Sequence, residues 1–209
     1  MPIPFALDPR LRRAARFPSL PAGAGGSITA LELGVLLGAG VLASLLTNVL
    51  HLRLGIPGSS IVFVSLPVAL GFALVPRRGA GLVMTGGALA ANAVLALAGA
   101  RLDGVGAQTS LLLTGPLLDL ALGWLGGGWR LYAAFVGACA ASNALAFVVR
   151  GITRAAGIYG TGGGGAVGGG VGRTFAQWWP HAVWTYALAG LVAGLISAAP
   201  WFRLRERGG

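Results

Sequence analysis

Long apolar runs with almost no charge constrain this chain more than any other feature. A helix needs about 20 apolar residues to cross the ~30 Å hydrocarbon core of a bilayer. Only 10% of the residues are charged, against about 25% in an ordinary soluble domain. Six runs of suitable length occur, at 28–50, 58–76, 79–100, 106–126, 131–150 and 181–200. The sequence therefore predicts an all-α polytopic membrane protein, a bundle of about six transmembrane helices.

Glycine, proline and arginine separate these runs and suggest how the chain is organised. The run 58–76 contains Pro67, and the sequence leaves open whether this segment spans the bilayer fully. Residues 151–180, rich in glycine, are predicted to form a loop. The predicted parts are an Arg/Pro-rich N-terminal segment (1–27), the transmembrane domain (28–202) and a C-terminal tail (203–209).

The arginines predict which way the helices cross. All fifteen basic residues are arginine, and basic residues in short loops favour the cytoplasmic side. Placing the N-terminus inside leaves ten arginines inside and five outside, so both termini are predicted to be cytoplasmic. The abundance of glycine and alanine is typical of a GC-rich bacterial genome. We therefore expect a multi-pass protein of the bacterial cytoplasmic (inner) membrane.

Several functions are disfavoured by the same residues. A net charge of +10 can indicate nucleic-acid binding, but the arginines lie between apolar runs and form no basic-aromatic module. The stretch 160–172 contains G-x-G-x-x-G, yet no acidic residue follows at dinucleotide-site spacing, and the chain has no lysine for a P-loop. Cys139 is the only cysteine. No nucleic-acid partner, cofactor, metal site or catalytic residue is predicted.

Polar residues inside the apolar runs are the first candidates for function. Ionisable side chains are costly in a bilayer, and Asp119 lies well inside the fourth run, three residues after Pro116. Glu32, near the inner end of the first run, is expected to reach water or an arginine. Asn92 and Asn143 lie near mid-depth in the third and fifth runs. Such asparagines either join helices by hydrogen bonds or line a pocket, and the sequence leaves both open.

An aromatic segment opens the sixth run. It contains Gln177, Trp178, Trp179, His181 and Trp184. Tryptophans at this depth are typical of the aromatic belt of membrane proteins. The alternative is that some rings stack on a flat ligand while Gln177 or His181 supplies hydrogen bonds.

The first run carries small residues at helical spacing, Gly34-x-x-x-Gly38 and Ala39-x-x-x-Ala43. Small residues on one face let helices approach closely, either within the bundle or against a partner subunit.

In length, number and polarity of spans, and in Ala39-x-x-x-Ala43 on the first helix, the chain resembles the substrate-binding S component of an energy-coupling factor (ECF) transporter. The resemblance implies docking through Ala39 and Ala43 to a transmembrane coupling protein that works with two ATPases. Cobalt and nickel members begin with Met-His, whereas this chain begins Met1-Pro2, so a vitamin or another small organic solute is expected. The expected ligand contacts are Asp119, Asn143, Gln177, Trp178, Trp179, His181 and Trp184.

Two other functions stay open at this point. One is a structural or assembly membrane protein without a ligand, in which the polar residues only join helices. The other is a membrane-embedded enzyme, although the chain offers no recognisable nucleophile or metal cluster.

Overall fold

The computed structural model describes residues 28–48, 58–100, 102–124, 129–156 and 175–207. Every regular element in these ranges is an α-helix, and each helix coincides with one predicted apolar run. The prediction of an all-helical chain with six helices is confirmed for this part of the protein. The helices are α1 (Ala30–Asn48), α2 (Ser60–Leu74), α3 (Ala80–Leu97), α4 (Val105–Trp124), α5 (Trp129–Ala155) and α6 (Phe175–Arg207).

Four of the helices contain segments long and apolar enough to cross a membrane: Ala30–Asn48, Ala80–Leu97, Tyr132–Ala155 and Trp178–Ala199. Large apolar side chains such as Leu31 and Leu97 are exposed on the outside of the bundle, as contact with lipid requires. The chain is therefore a multi-pass membrane protein. Helix α2 has only 15 residues, about 22 Å, which is shorter than the hydrocarbon core. That all six helices span the bilayer stays a prediction.

The short helix α2 is the best-enclosed element of the bundle. The other five helices pack in the order α1, α3, α4, α5, α6, and α2 closes the ring between α6 and α1. Helix α2 also contacts α3, α4 and α5, so it touches every other helix. Its sequence is apolar around the whole circumference, which is typical of a buried helix. Phe72, for example, is buried edge-on against Phe135 of α5 with ring centroids 6.4 Å apart.

Glycines set the closest helix crossings. Gly40 of α1 lies against the backbone of Met84 in α3, and Gly81 of α3 lies against Gly115 of α4. On the other side of the ring, a Cβ on Gly194 of α6 would come within 2.5 Å of a backbone atom of α5. Small residues at such crossings allow the helix–helix contacts that stabilise bundles in lipid.

Three helix ends differ from the sequence prediction. The predicted loop 151–180 is shorter, because α5 continues to Ala155 and α6 begins at Phe175. Near these ends, Phe147 of α5 stacks on Trp178 of α6. The predicted tail is helical up to Arg207. The segment 1–27 and the glycine-rich stretch 160–172 lie outside the described residues.

Side-chain contacts define two ends of the bundle. At one, which we call the Glu32 end, Glu32 of α1 pairs with Arg77 in the turn between α2 and α3 at 2.9 Å. This confirms the expectation that Glu32 reaches an arginine. At the other, the Arg150 end, Arg150 of α5 contacts Tyr186 of α6. The arginine distribution predicts that the Glu32 end is cytoplasmic and the Arg150 end is outside.

Candidate functional site

Asn143 of α5 presents an unusual buried atom. The side chain is completely buried, and its Nδ2 donates a hydrogen bond of 2.6 Å to the backbone carbonyl of Tyr186. A carbonyl oxygen can only accept, so this contact fixes which way the amide is turned. The amide oxygen Oδ1 is then left buried without a partner. An unpaired buried acceptor costs about 1–3 kcal/mol, so a donor placed there would be stabilising.

Gly58, just before α2, covers one side of this amide. Its φ is +84°, a left-handed conformation that glycine adopts without strain. A Cβ at this position would lie 3.0 Å from Cγ of Tyr186 and 3.1 Å from Nδ2 of Asn143. The absence of a side chain therefore lets the backbone before α2 reach the interface between α5 and α6.

Between Asn143 and the Arg150 end, aromatic rings fill the interface between α5 and α6. Phe147 lies one helical turn beyond it and stacks on Trp178, with centroids 5.6 Å apart and planes 19° apart. Tyr186 and Trp179 meet the same ring at 5.5 and 5.0 Å. Trp178 and Tyr186 are buried, and with Phe147 they form one apolar cluster between α5 and α6.

Two arginines follow the rings on α5. Nη1 of Arg150 donates to the Tyr186 hydroxyl at 3.2 Å, and the guanidinium of Arg154 lies 5.3 Å from the centroid of Trp178. Residues three or four apart share a helix face, so one face of α5 carries an amide, a ring and two cations in succession. We call this group the α5–α6 site; it consists of Asn143, Phe147, Arg150, Arg154, Trp178 and Tyr186.

A group of hydroxyls lies beside the site, between α4 and α5. Oγ1 of Thr114 donates to the backbone carbonyl of Ser110 at 2.6 Å and lies 2.9 Å from Oγ of Ser142. The hydroxyl of Ser110 itself is buried without a partner. Helices α4 and α5 thus each carry a buried polar atom without a hydrogen-bond partner, Oγ of Ser110 and Oδ1 of Asn143.

A second polar cluster joins α1, α3 and α4. Unlike Asn143, its amide side chains have hydrogen-bond partners for their oxygens. Asn92 accepts from Ser44 at 2.7 Å and from Asn48 at 2.8 Å, and its Nδ2 donates to Gln108. The Asn48 oxygen in turn accepts from Gln108 and from the backbone N–H of Asp103. The amide oxygens are all paired, so Asn92 joins helices. We call this group the Asn92 network; it consists of Ser44, Asn48, Asn92 and Gln108.

Ser44 and Asn48 were not among the candidates predicted from the sequence. Their signal was available in the spacing Ser44-x-x-x-Asn48, which puts two polar groups on one face of an otherwise apolar helix. The same holds for Thr29-x-x-Glu32, in which each residue accepts the backbone N–H of the other. This is a capping box that begins α1.

Asp119 lies near the other end of the bundle. Its Oδ2 accepts the backbone N–H of Leu82 at 2.9 Å, and so pairs one of the free N–H groups in the first turn of α3. Thr114, which meets Ser142 next to Asn143, is five residues earlier on α4, about 7.5 Å at 1.5 Å per residue. The hydrogen bond of Asp119 is to α3, and a ligand contact for it stays a prediction.

Of the predicted ligand contacts on α6, some side chains are buried in the bundle and others are exposed on its surface. Trp178 faces the bundle, whereas Trp184 is 70% exposed, Trp179 is 46% exposed and His181 is exposed as well. An outward-facing ring is what the aromatic-belt alternative expects, and a ligand contact for Trp184 stays a prediction. In the ranges that the structure describes, no group of three or more His, Cys, Asp or Glu side chains could hold a metal. The side chain of Gln177 lies outside the described set.

The small residues of α1 also face two ways. Ala43 is only 1% exposed, and Ala39 packs against the core beside Gly71. Gly34 and Gly38, in contrast, are exposed and have no neighbour within 4 Å of a Cβ position. The alanine pair therefore serves packing inside the bundle, and docking through it stays a prediction.

Comparison with known proteins adds no relative: no family model, curated protein sequence or solved structure matches the chain.

Proposed function

We propose that this protein is the substrate-capturing membrane subunit of an ECF-type importer, and that it binds a vitamin or another small organic solute at the α5–α6 site. The observation that carries the proposal is the buried, unpaired Oδ1 of Asn143 at the inner end of an aromatic and cationic helix face. A buried polar group left unpaired at such a cost calls for a specific explanation, and a bound ligand with a donor group supplies one.

The chemistry of the site suits a small organic molecule. Ligand sites are mostly apolar and aromatic, with a few polar groups that fix orientation. Phe147, Trp178 and Tyr186 supply the apolar part, and Asn143 supplies the hydrogen-bond acceptor. The site lies toward the end of the bundle that the arginines predict to be outside, where an importer meets its solute.

The proposal requires a partner, because the sequence contains no recognisable nucleotide site. Energy would come from two ATPases that act through a transmembrane coupling protein. We assign the docking contact to α1. Ala43 is buried and Ala39 is partly buried, whereas Gly34 and Gly38 are exposed small residues that a partner can reach.

A structural or assembly role is the second candidate, and one observation favours it. The Asn92 network is a set of buried polar groups whose only evident task is to join three helices. If the α5–α6 site had the same task, the unpaired Asn143 oxygen would be filled by a buried water molecule, the usual partner of such groups.

Co-purification tests the proposed function directly. The full-length chain, extracted from its native membrane in mild detergent, should bring with it a membrane coupling protein and two ATPases. Denaturation should release a small organic molecule detectable by mass spectrometry. Recovery of the chain alone, with neither ATPases nor a small molecule, would overturn the proposal in favour of the structural role.

A matched pair of variants tests the docking helix. Gly34→Leu together with Gly38→Leu should reduce recovery of the coupling protein without unfolding the chain, since both positions are open. Gly86→Leu on α3 is the control, because Gly86 is equally open. Equal recovery from both variants would remove α1 as the docking helix.

A further inference from the structure

We infer that the solute bound at the α5–α6 site is an organic anion: a planar apolar body with a hydrogen-bond donor at one end and a carboxylate or phosphate at the other. This rests on the proposed function and names its substrate class. The three parts correspond to three groups in order along α5, namely Asn143, Phe147 and Arg150.

The donor end follows from Asn143. Its Nδ2 is engaged by the Tyr186 carbonyl and its Oδ1 is buried and unpaired. The amide oxygen can only accept, so the group that completes it must carry an N–H or O–H. A solute that offers only acceptors at that end would leave two buried acceptors facing each other.

The anionic end follows from Arg150. Within the described residues its guanidinium makes one hydrogen bond, to the Tyr186 hydroxyl, and no ion pair. A guanidinium carries five N–H donors in a planar fork that suits a carboxylate or phosphate. Glu32 pairs with Arg77, and Asp119 with the start of α3. Asp103, at the same end as Arg150, accepts the backbone N–H of Gly104 through Oδ1.

The spacing on α5 sets the size of the solute. Arg150 lies seven residues beyond Asn143, about 10 Å along the helix, and Phe147 lies between them on the same face. A molecule with one or two fused rings and a short acidic arm covers that distance. Its body would lie along the Phe147–Trp178 stack, where aromatic surfaces pack favourably.

The same arrangement disfavours a cationic solute. Arg154 lies over Trp178, one turn beyond Arg150, so two guanidinium groups lie along the outer half of the site. An amine or a quaternary ammonium group on the solute would face both guanidinium groups. Like charges at close range oppose binding in a partly buried site.

The experiment compares the wild-type chain with Arg150→Gln, both full length and in phosphatidylcholine nanodiscs. Mass spectrometry identifies any small molecule retained through purification. For a uniform probe, thermal unfolding is followed with indole-3-acetate, indole-3-acetamide and tryptamine, which share a ring and an N–H but differ in charge. The retained molecule should be an anion with a donor group, and indole-3-acetate should stabilise the protein most. Arg150→Gln should weaken anion binding about 10- to 100-fold, as loss of a charge-assisted hydrogen bond does.

The control is Arg130→Gln, since Arg130 is an exposed arginine at the opposite end of the same helix. It should leave retention and stabilisation unchanged. A neutral or cationic retained molecule, equal stabilisation by the three indoles, or an unchanged Arg150→Gln variant would overturn the substrate class. If the only anion recovered were a phospholipid, the anion site would belong to a lipid head group and the solute inference would fail. Recovery of ATPases with any of these results would leave the transport proposal standing.

Discussion

Asn92 and Asn143 are the same residue type, both buried in helices of one bundle, yet their surroundings differ. Asn92 accepts from two side chains and donates to a third, all within the Asn92 network. Asn143 makes one hydrogen bond through its nitrogen, and its oxygen has no partner. The Asn92 network is complete without anything from outside the chain, whereas the α5–α6 site is incomplete.

This difference separates two uses of polar groups in a membrane protein. In lipid there is no water to satisfy a buried amide, so helices pair their own polar groups wherever packing permits. A network that closes on itself contributes to stability. A network with an unpaired acceptor contributes less to stability, and a ligand that donates a hydrogen bond to that acceptor would restore the difference. The comparison therefore predicts that variants of the two regions affect different measurements.

The largest effect on stability is expected from Asn92→Leu. The change removes one hydrogen bond from each of Ser44, Asn48 and Gln108, and the buried Ser44 hydroxyl loses its acceptor. Each such loss costs about 1 kcal/mol or more, so the free energy of unfolding should fall by about 2–3 kcal/mol. Denaturant or thermal unfolding of the purified protein measures it. Retention of the solute should stay within about twofold under conditions where the variant is folded.

Asn143→Leu should show the reverse pattern. The solute loses its hydrogen-bond acceptor, so affinity should fall about tenfold or more. Stability should change by less than about 1 kcal/mol, because the lost bond to the Tyr186 carbonyl is partly offset by removal of an unpaired oxygen. Isothermal titration with the retained solute measures the affinity. If Asn143→Leu instead destabilised the protein as much as Asn92→Leu, the two regions would have the same structural role.

Asp119 gives a smaller effect at the Glu32 end. Asp119→Ala removes the acceptor for the Leu82 N–H at the start of α3 and should lower stability by about 1 kcal/mol, as loss of a helix cap does. Asp119→Asn keeps an acceptor oxygen and is the matched control. Neither change should alter solute affinity, since the carboxylate is engaged with the start of α3. A loss of binding in Asp119→Asn with normal folding would restore Asp119 as a ligand contact.

The sequence predicted where the helices lie along the chain, but not which face of each helix is buried. Both results have the same physical cause. A run of about 20 apolar residues is a strong signal because lipid demands it. The same lipid removes the contrast between an apolar inside and a polar outside that shows which face of a soluble helix is buried. Trp178 and Trp184 were therefore indistinguishable in sequence, although one is buried and the other 70% exposed.

Long-range pairing was equally hidden from the sequence. The hydrogen bond between Ser65 and Ser197 joins residues 132 positions apart, and no local pattern indicates it. The small residues of α1 show the same limit. Ala39-x-x-x-Ala43 and Gly34-x-x-x-Gly38 have the same spacing on one helix, and only the packing shows that the first pair contacts the core and the second is exposed.

The smallest expected effect comes from the hydroxyls beside the α5–α6 site, and it has an unusual sign. Ser110→Ala removes a buried hydroxyl that has no partner, so stability should stay unchanged or rise by about 0.5 kcal/mol. Thr114→Val is nearly isosteric but removes the hydrogen bonds to Ser110 and Ser142, and should lower stability by about 1 kcal/mol. Unfolding of the two variants side by side measures the difference. A destabilising Ser110→Ala would mean that its hydroxyl has a partner, such as a bound water; if that variant also weakened solute binding, the site would extend from α5 onto α4.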